Sequence, residues 1–157
     1  LKLSDLLRYS LYETNETFVP LEKEISYLKN YVDLEKIRLD DKTEIIFENN
    51  LSDNTIKIAP MLLIVFVENA FKHLHLLDDE KSRVFVSIEN KNGQLVFKST
   101  NTFSNNIESN NNNIEKGKSG IGLDNVKKRL ALLYPEKHEL QIDSENNEYK
   151  VVLALDN

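Results

Sequence analysis

Apolar residues recur at helical spacing in four parts of the chain. Residues 3–11 carry such a pattern until "ETNET" at 13–17 breaks it, which predicts the end of a helix. Residues 20–39 carry a longer pattern, with Pro20 suited to a first helical turn and an apolar stripe opposite the charged side chains. A second helix is therefore predicted at about 20–39.

Two more helical patterns contain residues that are unusual in a helix. The stretch "PMLLIVFVENAFKHL" predicts a helix at about 60–74 that Pro60 opens, and residues 61–67 have no polar side chain on any face. The stretch "GIGLDNVKKRLALLYP" is helical after its glycines and ends at Pro135. We expect the helix at 60–74 to be buried for most of its length.

Five segments have the β-branched content or the alternation of strands, and two turn signals join them in pairs. Asn92-Gly93 marks a hairpin, and residues 145–147 mark a looser turn. We expect an α+β fold, a two-layer α/β sandwich in which a mixed, mainly antiparallel sheet has helices on one face. The segments are "TEIIFENNL" at 43–51, "SRVFVSIEN" at 82–90, "GQLVFKSTN" at 93–101, "HELQIDS" at 138–144 and "EYKVVLAL" at 148–155.

The segment at 102–120, "TFSNNIESNNNNIEKGKSG", is rich in asparagine and has almost nothing to bury. This composition predicts a mobile loop. A loop of this length inside a compact domain is either disordered or a functional lid, and the sequence leaves both alternatives open.

Length and charge narrow the possible functions. A chain of 157 residues suits one domain, and because it starts at Leu1 in the middle of a pattern we expect a fragment of a longer protein. The longest apolar run, 58–67, is far shorter than the roughly 20 residues of a membrane-spanning helix. A formal charge of −6 with scattered basic residues argues against direct nucleic-acid binding. The absence of cysteine excludes thiolate metal sites.

Four polar residues interrupt the apolar helix at 60–74 and share one of its faces: Glu68, Asn69, Lys72 and His73. We call them the polar stripe. They could form the solvated side of an amphipathic helix. Because partly buried polar groups cost about 1 to 3 kcal/mol each unless they have partners, the alternative is a bound ligand.

The side chains of the polar stripe suit a metal-bound phosphate. An Asn amide oxygen is a ligand that Mg²⁺ accepts, and Mg²⁺ completes its coordination with phosphate and water. Lysine and histidine can contact phosphate oxygens, and Glu68 can act as a base, orient water or tune the metal site. Gly120 and Gly122 immediately precede a predicted helix, where backbone N–H groups can approach a phosphate, although a short G-x-G is also an ordinary turn.

These motifs together resemble the ATP-binding catalytic domain of sensor histidine kinases, in the GHKL superfamily shared with gyrase, Hsp90 and MutL. "ENAFKH" at 68–73 resembles the N box of the family, and "GIGLDNVKKRL" at 120–130 resembles its glycine-rich G2 box. With "VPLEKEISYLKNYVDLEKIRL" at 19–39, the three motifs are similar to the LytS-like subfamily in the same order. The resemblance implies a Bergerat-type ATP-binding fold, which agrees with the predicted sandwich.

The resemblance also implies roles for individual residues and the cofactors ATP and Mg²⁺. Asn69 would hold Mg²⁺, Lys72 and His73 would contact phosphates, and Glu68 is the acidic N-box residue with a catalytic role. The glycines of the G2 box would let the lid close on the phosphates. The implied nucleotide-binding residues of this box are Gly120, Ile121, Gly122, Leu123 and Asn125.

The chain departs from the family at the adenine-recognising box. Here "STNTFSN" at 99–105 has Asn101 where Asp is expected and Phe103 where glycine is common. Asn101 can still accept a hydrogen bond from the adenine amino group, but it lacks the charge that strengthens such bonds. We therefore expect weak nucleotide affinity.

No phosphoacceptor motif of the family surrounds His73, His75 or His138, so the accepting histidine is expected upstream of Leu1. His75 and His138 are interpreted as exposed polar residues at element ends. Residues 1–16 resemble the end of the dimerisation and phosphoacceptor helix, which leaves 17–157 as the catalytic domain.

The resemblance implies a domain that presents Mg-ATP to the upstream histidine, for relay to a response regulator of the LytTR type. It implies a homodimeric, membrane-anchored sensor with this domain in the cytoplasm. Two alternatives remain open from the sequence. One is a degenerate, non-catalytic module that keeps the fold for signalling and dimerisation, and the other is an ATP-hydrolysing machine like the gyrase or Hsp90 relatives.

Overall fold

The computed structural model describes residues 3–4, 7, 15–52, 55–74, 81–103 and 116–156, with the backbone alone for 116–120. Residues 3–4 and 7 are helical, as predicted for the start of the chain. His75 and residues 104–115 of the predicted loop lie outside the described residues. The domain boundary between residues 16 and 17 stays a prediction.

Three helices and seven strands follow one another along the described chain. None of these helices is both long enough and apolar enough to span a membrane. The helices are α1 (Leu21–Arg38), α2 (Ile64–Lys72) and α3 (Lys116–Leu133). The strands are β1 (Val19–Pro20), β2 (Thr43–Asn50), β3 (Lys57–Ile58), β4 (Ser82–Lys91), β5 (Gln94–Thr102), β6 (His138–Glu145) and β7 (Glu148–Asp156).

Five of the strands form one sheet in the order β2-β4-β5-β7-β6, while β1 and β3 form a separate antiparallel pair. Strand β2 runs parallel to β4, and the other neighbours are antiparallel. Positive φ angles of 53° at Asn92 and 81° at Gly93 confirm the predicted tight hairpin between β4 and β5. Asn146 and Asn147, with φ of 53° and 60°, form the turn between β6 and β7.

One face of the sheet packs against the helices. In β5 and β7 every second side chain is buried, and paired residues such as Phe97 and Leu153 point to the same side. These side chains join Leu28 of α1, Phe66 of α2 and Leu130 of α3 in a single hydrophobic cluster. The arrangement confirms the predicted two-layer α+β sandwich.

Two helix starts differ from the sequence prediction. Helix α2 begins at Ile64 and not at Pro60, because Met61 adopts a φ of 59°, which a right-handed helix excludes. Helix α3 begins at Lys116, so Gly120 and Gly122 lie inside it and do not precede it. Glycine inside a helix costs only about 1 kcal/mol relative to alanine, which tertiary packing can offset.

His138 and Phe103 both have structural surroundings that the sequence did not indicate. His138 begins β6, as expected for a residue at an element end, but it is half-buried and its Nδ1 lies 2.7 Å from the carbonyl oxygen of Tyr134. This contact explains why the ring is less exposed than predicted. Phe103 is buried, and its backbone N–H donates to the carbonyl of Asn147.

Candidate functional site

The turn at residues 59–61, which leads into α2, is held by side chains from two other helices. The backbone N–H of Met61 donates to Oε1 of Glu24 in α1 at 2.8 Å. Arg129 of α3 donates from Nη2 to the carbonyl of Pro60 at 2.8 Å. The hydroxyl of Tyr134 accepts from the N–H of Ala59 at 3.1 Å. These bonds fix the start of α2 relative to α1 and α3.

Helix α2 divides its residues between the core and the polar stripe. Ile64, Phe66, Val67, Ala70 and Phe71 are buried, which confirms the prediction of a largely buried helix. Within the polar stripe, Glu68 and Lys72 are exposed, whereas Asn69 and His73 are half-buried. The last two are therefore the members that face a partly enclosed space.

Asn69 has an amide group that protein atoms do not fully engage. Its Nδ2 is buried and has no hydrogen-bond partner. Such atoms are rare in folded proteins, because each one loses its hydration without replacement. An amide nitrogen in this condition is a candidate donor to an acceptor atom of a bound ligand, such as a phosphate oxygen.

The donor set around Asn69 limits which metal could bind. Among the described residues, no group of three or more His, Cys, Asp or Glu side chains is arranged to hold a metal ion. Zinc and calcium sites need several protein ligands, whereas Mg²⁺ commonly takes one or two and fills its coordination with phosphate and water. The residues present thus fit a Mg²⁺ ion that arrives with a polyphosphate.

Glu68 lies at the edge of the polar stripe nearest to α1. Its side chain is exposed over much of its surface, and partial burial of the carboxyl group raises its pKa above the ordinary value for Glu. Its charge in turn contributes to the raised pKa of Tyr27 and Tyr31 on α1, for which burial is the larger cause. Glu68 is therefore a better proton acceptor than an ordinary surface carboxylate.

Asn101 near the end of β5 is more deeply buried than the other predicted site residues whose burial the structure describes, with 1% of its surface exposed. Its Nδ2 donates to the carbonyl of Thr102 at 3.2 Å. Its Oδ1 is buried and has no hydrogen-bond partner. Asn101 thus presents one unsatisfied acceptor, and it suits a ligand that brings a donor such as an exocyclic amino group.

Tyr149, which the sequence did not indicate as a site residue, lies between Asn101 and the end of α2. Asn101 pairs with Tyr149 on β7, and the ring of Tyr149 lies 6.2 Å from the ring of His73. Alternation along β7 places Tyr149 on the helix-facing side of the sheet. That signal was in the sequence, but only the order of the strands shows that β7 lies beside β5.

Helix α3 approaches the same region of α2 through Gly122. A Cβ atom at Gly122 would lie 3.4 Å from Cγ1 of Val65, which is one helical turn before Asn69. Leu123 packs against the core, whereas Ile121 and Asn125 are exposed. The structure therefore places Gly122 against α2 and Leu123 against the core, and it leaves Ile121 and Asn125 exposed on α3.

A groove of about 570 Å³ opens at the other end of the sheet. Phe18, Tyr134 and Lys137 line it, together with Asn90 and Gly93 beside the β4–β5 hairpin. Strands β4 and β5 are antiparallel, and Asn101 lies at the opposite end of β5 from this hairpin. The groove is therefore separate from the site around Asn69 and Asn101.

Comparison with known proteins identifies two matching families. The family described as GHKL domain matches residues 54–156, and the family described as histidine kinase matches residues 1–43. The first of these ranges contains the whole polar stripe, Asn101, Tyr149 and helix α3. It covers more than half of the chain.

Individual relatives agree with the family matches. The sensor protein LytS of Bacillus cereus is 28% identical over 162 residues, which cover 94% of this chain and 26% of LytS. The sensor protein kinase HptS of Staphylococcus aureus is 39% identical over 72 residues, which cover 46% of this chain and 14% of HptS. The chain therefore spans about a quarter or less of the length of these curated relatives.

A solved structure shows the same fold. The catalytic domain of the histidine kinase ThkA, in a nucleotide-free form, superimposes with a TM-score of 0.60 at 16% identity, covering 89% of this chain and 94% of that chain. Sequence family, relatives and fold thus agree with one another. The chain belongs to the GHKL domain family.

Proposed function

We propose that this domain binds Mg-ATP and transfers its γ-phosphoryl group to a histidine of the same protein, located upstream of Leu1. The observation that carries the proposal is the pair of buried amide atoms without partners, Oδ1 of Asn101 and Nδ2 of Asn69. Asn69 lies on α2 and Asn101 on β5. His73, just after α2, contacts the ring of Tyr149, which pairs with Asn101 across the sheet. A nucleotide supplies both a base with an amino group and a metal-bound phosphate chain.

Different side chains would bind the base, the metal ion and the phosphates of the nucleotide. Asn101 would accept a hydrogen bond from the adenine amino group, and Asn69 would hold Mg²⁺ through its amide oxygen. Lys72 and His73 would contact phosphate oxygens. Gly120 and Gly122, inside α3, would let this helix come close to the phosphates without a side chain between them. Mg²⁺, when bound, neutralises charge on the phosphates.

We propose that Glu68 accepts the proton that the histidine ring loses on phosphorylation. In the transfer, the bond between the γ-phosphorus and the β,γ-bridging oxygen breaks, ADP leaves, and a bond forms from phosphorus to a ring nitrogen of the accepting histidine. The ring then gives up its other N–H proton, and Glu68 would accept it. Its raised pKa supports this role.

The family relationship supports a proposal for the partners and the location of the whole protein. Residues 1–16 would be the end of the dimerisation and phosphoacceptor helix, and 17–157 the catalytic domain. We propose that the whole protein is a homodimer, anchored in the plasma membrane with this domain in the cytoplasm. It would pass the phosphoryl group to a response regulator of the LytTR type, and this domain would not contact nucleic acid directly.

Phosphate incorporation by the whole protein tests the proposal. With radiolabelled Mg-ATP we expect label on the upstream histidine in the wild type, and at least a ten-fold loss in Asn69→Ala. Asn90→Ala is a matched control, because Asn90 also has a buried Oδ1 without a partner but lines the groove at the other end of the sheet. Absence of label in the wild type, or equal label in all three proteins, would reject phosphoryl transfer through this site.

A further inference from the structure

Tyr149 occupies a defined place beside the unsatisfied oxygen of Asn101. The register of β4, β5, β7 and β6 places Val84, Asn101, Tyr149 and Ser144 in one row across the sheet. Directly opposite residues on antiparallel strands point to the same face, with Cβ atoms about 5 Å apart. The ring of Tyr149 therefore rises from the sheet next to the side chain of Asn101, on the side that faces α2.

The ring of Tyr149 forms a wall together with His73. The two ring centroids are 6.2 Å apart and the planes are inclined by 42°. Paired aromatic rings lie about 4.5 to 7 Å apart, so these rings contact each other and leave no room for a third ring between them. A planar ligand that reaches Asn101 must lie along this wall and cannot pass through it.

The surroundings leave part of the Tyr149 ring available to a ligand. Tyr149 is half-buried, and Ser144, the next residue in the row towards the sheet edge, is exposed. Burial raises the pKa of the Tyr149 phenol, so the hydroxyl is neutral at physiological pH. A neutral, half-exposed aromatic ring beside an unsatisfied acceptor is suited to a flat heterocycle that carries an amino group.

We propose that Tyr149 is a base-contacting residue, whose ring packs against a purine while Oδ1 of Asn101 accepts a hydrogen bond from the amino group of the base. The inference rests on the proposed function and adds a contact to it. The contact compensates for the missing charge at position 101, because stacking against an aromatic ring strengthens base binding without a charged partner. It concerns the base alone and makes no contact with the phosphates.

Titrations of the domain with adenosine and with Mg-ADP test this role. Adenosine carries the base without phosphates, so loss of a base contact weakens both ligands by the same factor. For Tyr149→Ala we expect about ten-fold weaker binding of each ligand, as the loss of one stacked base predicts. Tyr149→Phe keeps the ring and should bind within about two-fold of the wild type.

Two further variants separate the base contact from a loss of folding. Tyr149→Leu keeps most of the volume without the aromatic ring and should bind as weakly as Tyr149→Ala. Lys150→Ala, at the next position, is exposed on the other face of the sheet and should bind as the wild type does. The melting temperature of each variant without ligand reports whether the fold is retained.

The results of these titrations distinguish a failure of the base contact from a failure of the proposed nucleotide binding. A wild type that binds neither adenosine nor Mg-ADP rejects the proposed function and the base contact together. A wild type that binds both, with unchanged affinities in Tyr149→Leu, rejects the base contact alone. Weaker binding of Mg-ADP with unchanged adenosine binding would assign Tyr149 to the phosphate end and also overturn the inference.

Discussion

Glu24 and Asn101 are polar side chains that the fold buries almost completely, and each makes a hydrogen bond through one of its side-chain atoms. Glu24 is fully buried, and its Oε1 accepts the N–H of Met61 at 2.8 Å. Asn101 is equally buried; its Nδ2 donates to the carbonyl of Thr102, and its Oδ1 has no partner. A buried acceptor without a partner costs about 1 to 3 kcal/mol, so Asn101 lowers the stability of the ligand-free domain. Sites of binding commonly carry such a cost.

Replacing Asn101 with leucine separates stability from binding. The substitution removes the unsatisfied oxygen as well as the bond to Thr102, so we expect the free energy of unfolding to change by less than about 1 kcal/mol. Saturating Mg-ADP should raise the melting temperature of the wild type, because it binds the native state. It should leave Asn101→Leu unchanged. An equal rise in both proteins would show that Asn101 is outside the nucleotide site.

The raised pKa of Glu68 predicts a pH dependence of stability. Burial disfavours the charged carboxylate in the folded state, so stability falls as the pH rises from the unfolded pKa through the higher folded pKa. Glu68→Gln removes this loss. The variant should therefore gain stability relative to the wild type as the pH rises above the unfolded pKa of Glu68, and the gain should level off above the higher folded pKa.

Chemical denaturation of both proteins across this range measures the difference. Glu48→Gln serves as the control, since Glu48 is an exposed carboxylate on β2 whose removal should give no comparable trend. Parallel stability curves for the wild type and Glu68→Gln would contradict a raised pKa at Glu68.

At the scale of elements, the position of α2 depends on bonds that join distant parts of the chain. Glu24 and Arg129 hold the turn at 59–61 from opposite ends of the sequence. This explains why the predicted helix start at Pro60 was wrong, since long-range bonds stabilise the positive φ of Met61 and leave no local signal. By contrast, α1 and both hairpins were predicted because their signals are local.

Substitution of Glu24 tests how strongly the turn depends on α1. Glu24→Ala leaves the N–H of Met61 without its acceptor and should lower the free energy of unfolding by about 2 kcal/mol. Glu24→Gln keeps an acceptor oxygen, so its free energy of unfolding should fall by less than that of Glu24→Ala. Glu22→Ala removes the same charge from the same first turn, but Glu22 is exposed, so this variant should stay within about 0.5 kcal/mol of the wild type.

Urea denaturation gives these free energies from the transition midpoint and slope. Equal losses in Glu24→Ala and Glu22→Ala would assign the effect to the charge near the start of α1. Such a result would contradict a specific bond to the turn.

At the scale of the whole molecule, the sheet order decides what the sequence could predict. The alternation of apolar and polar residues indicated which faces of β5 and β7 point inward. It did not show that these strands are neighbours, which follows from the order β2-β4-β5-β7-β6 with its parallel β2–β4 pair. The neighbours Asn101 and Tyr149 therefore could not be identified from spacing. The polar stripe and Asn101 were predicted as site residues because each carries its signal within a few positions.

The central claim is that the polar stripe and Asn101 form one nucleotide site, and a calorimetric titration with Mg-ADP tests it most directly. We expect saturable binding by the wild type, clearly weaker binding by Asn69→Ala and by Asn101→Ala, and unchanged binding by Asn90→Ala. Absence of binding by a folded wild type, or equal affinity in all four proteins, would contradict a nucleotide site at this place.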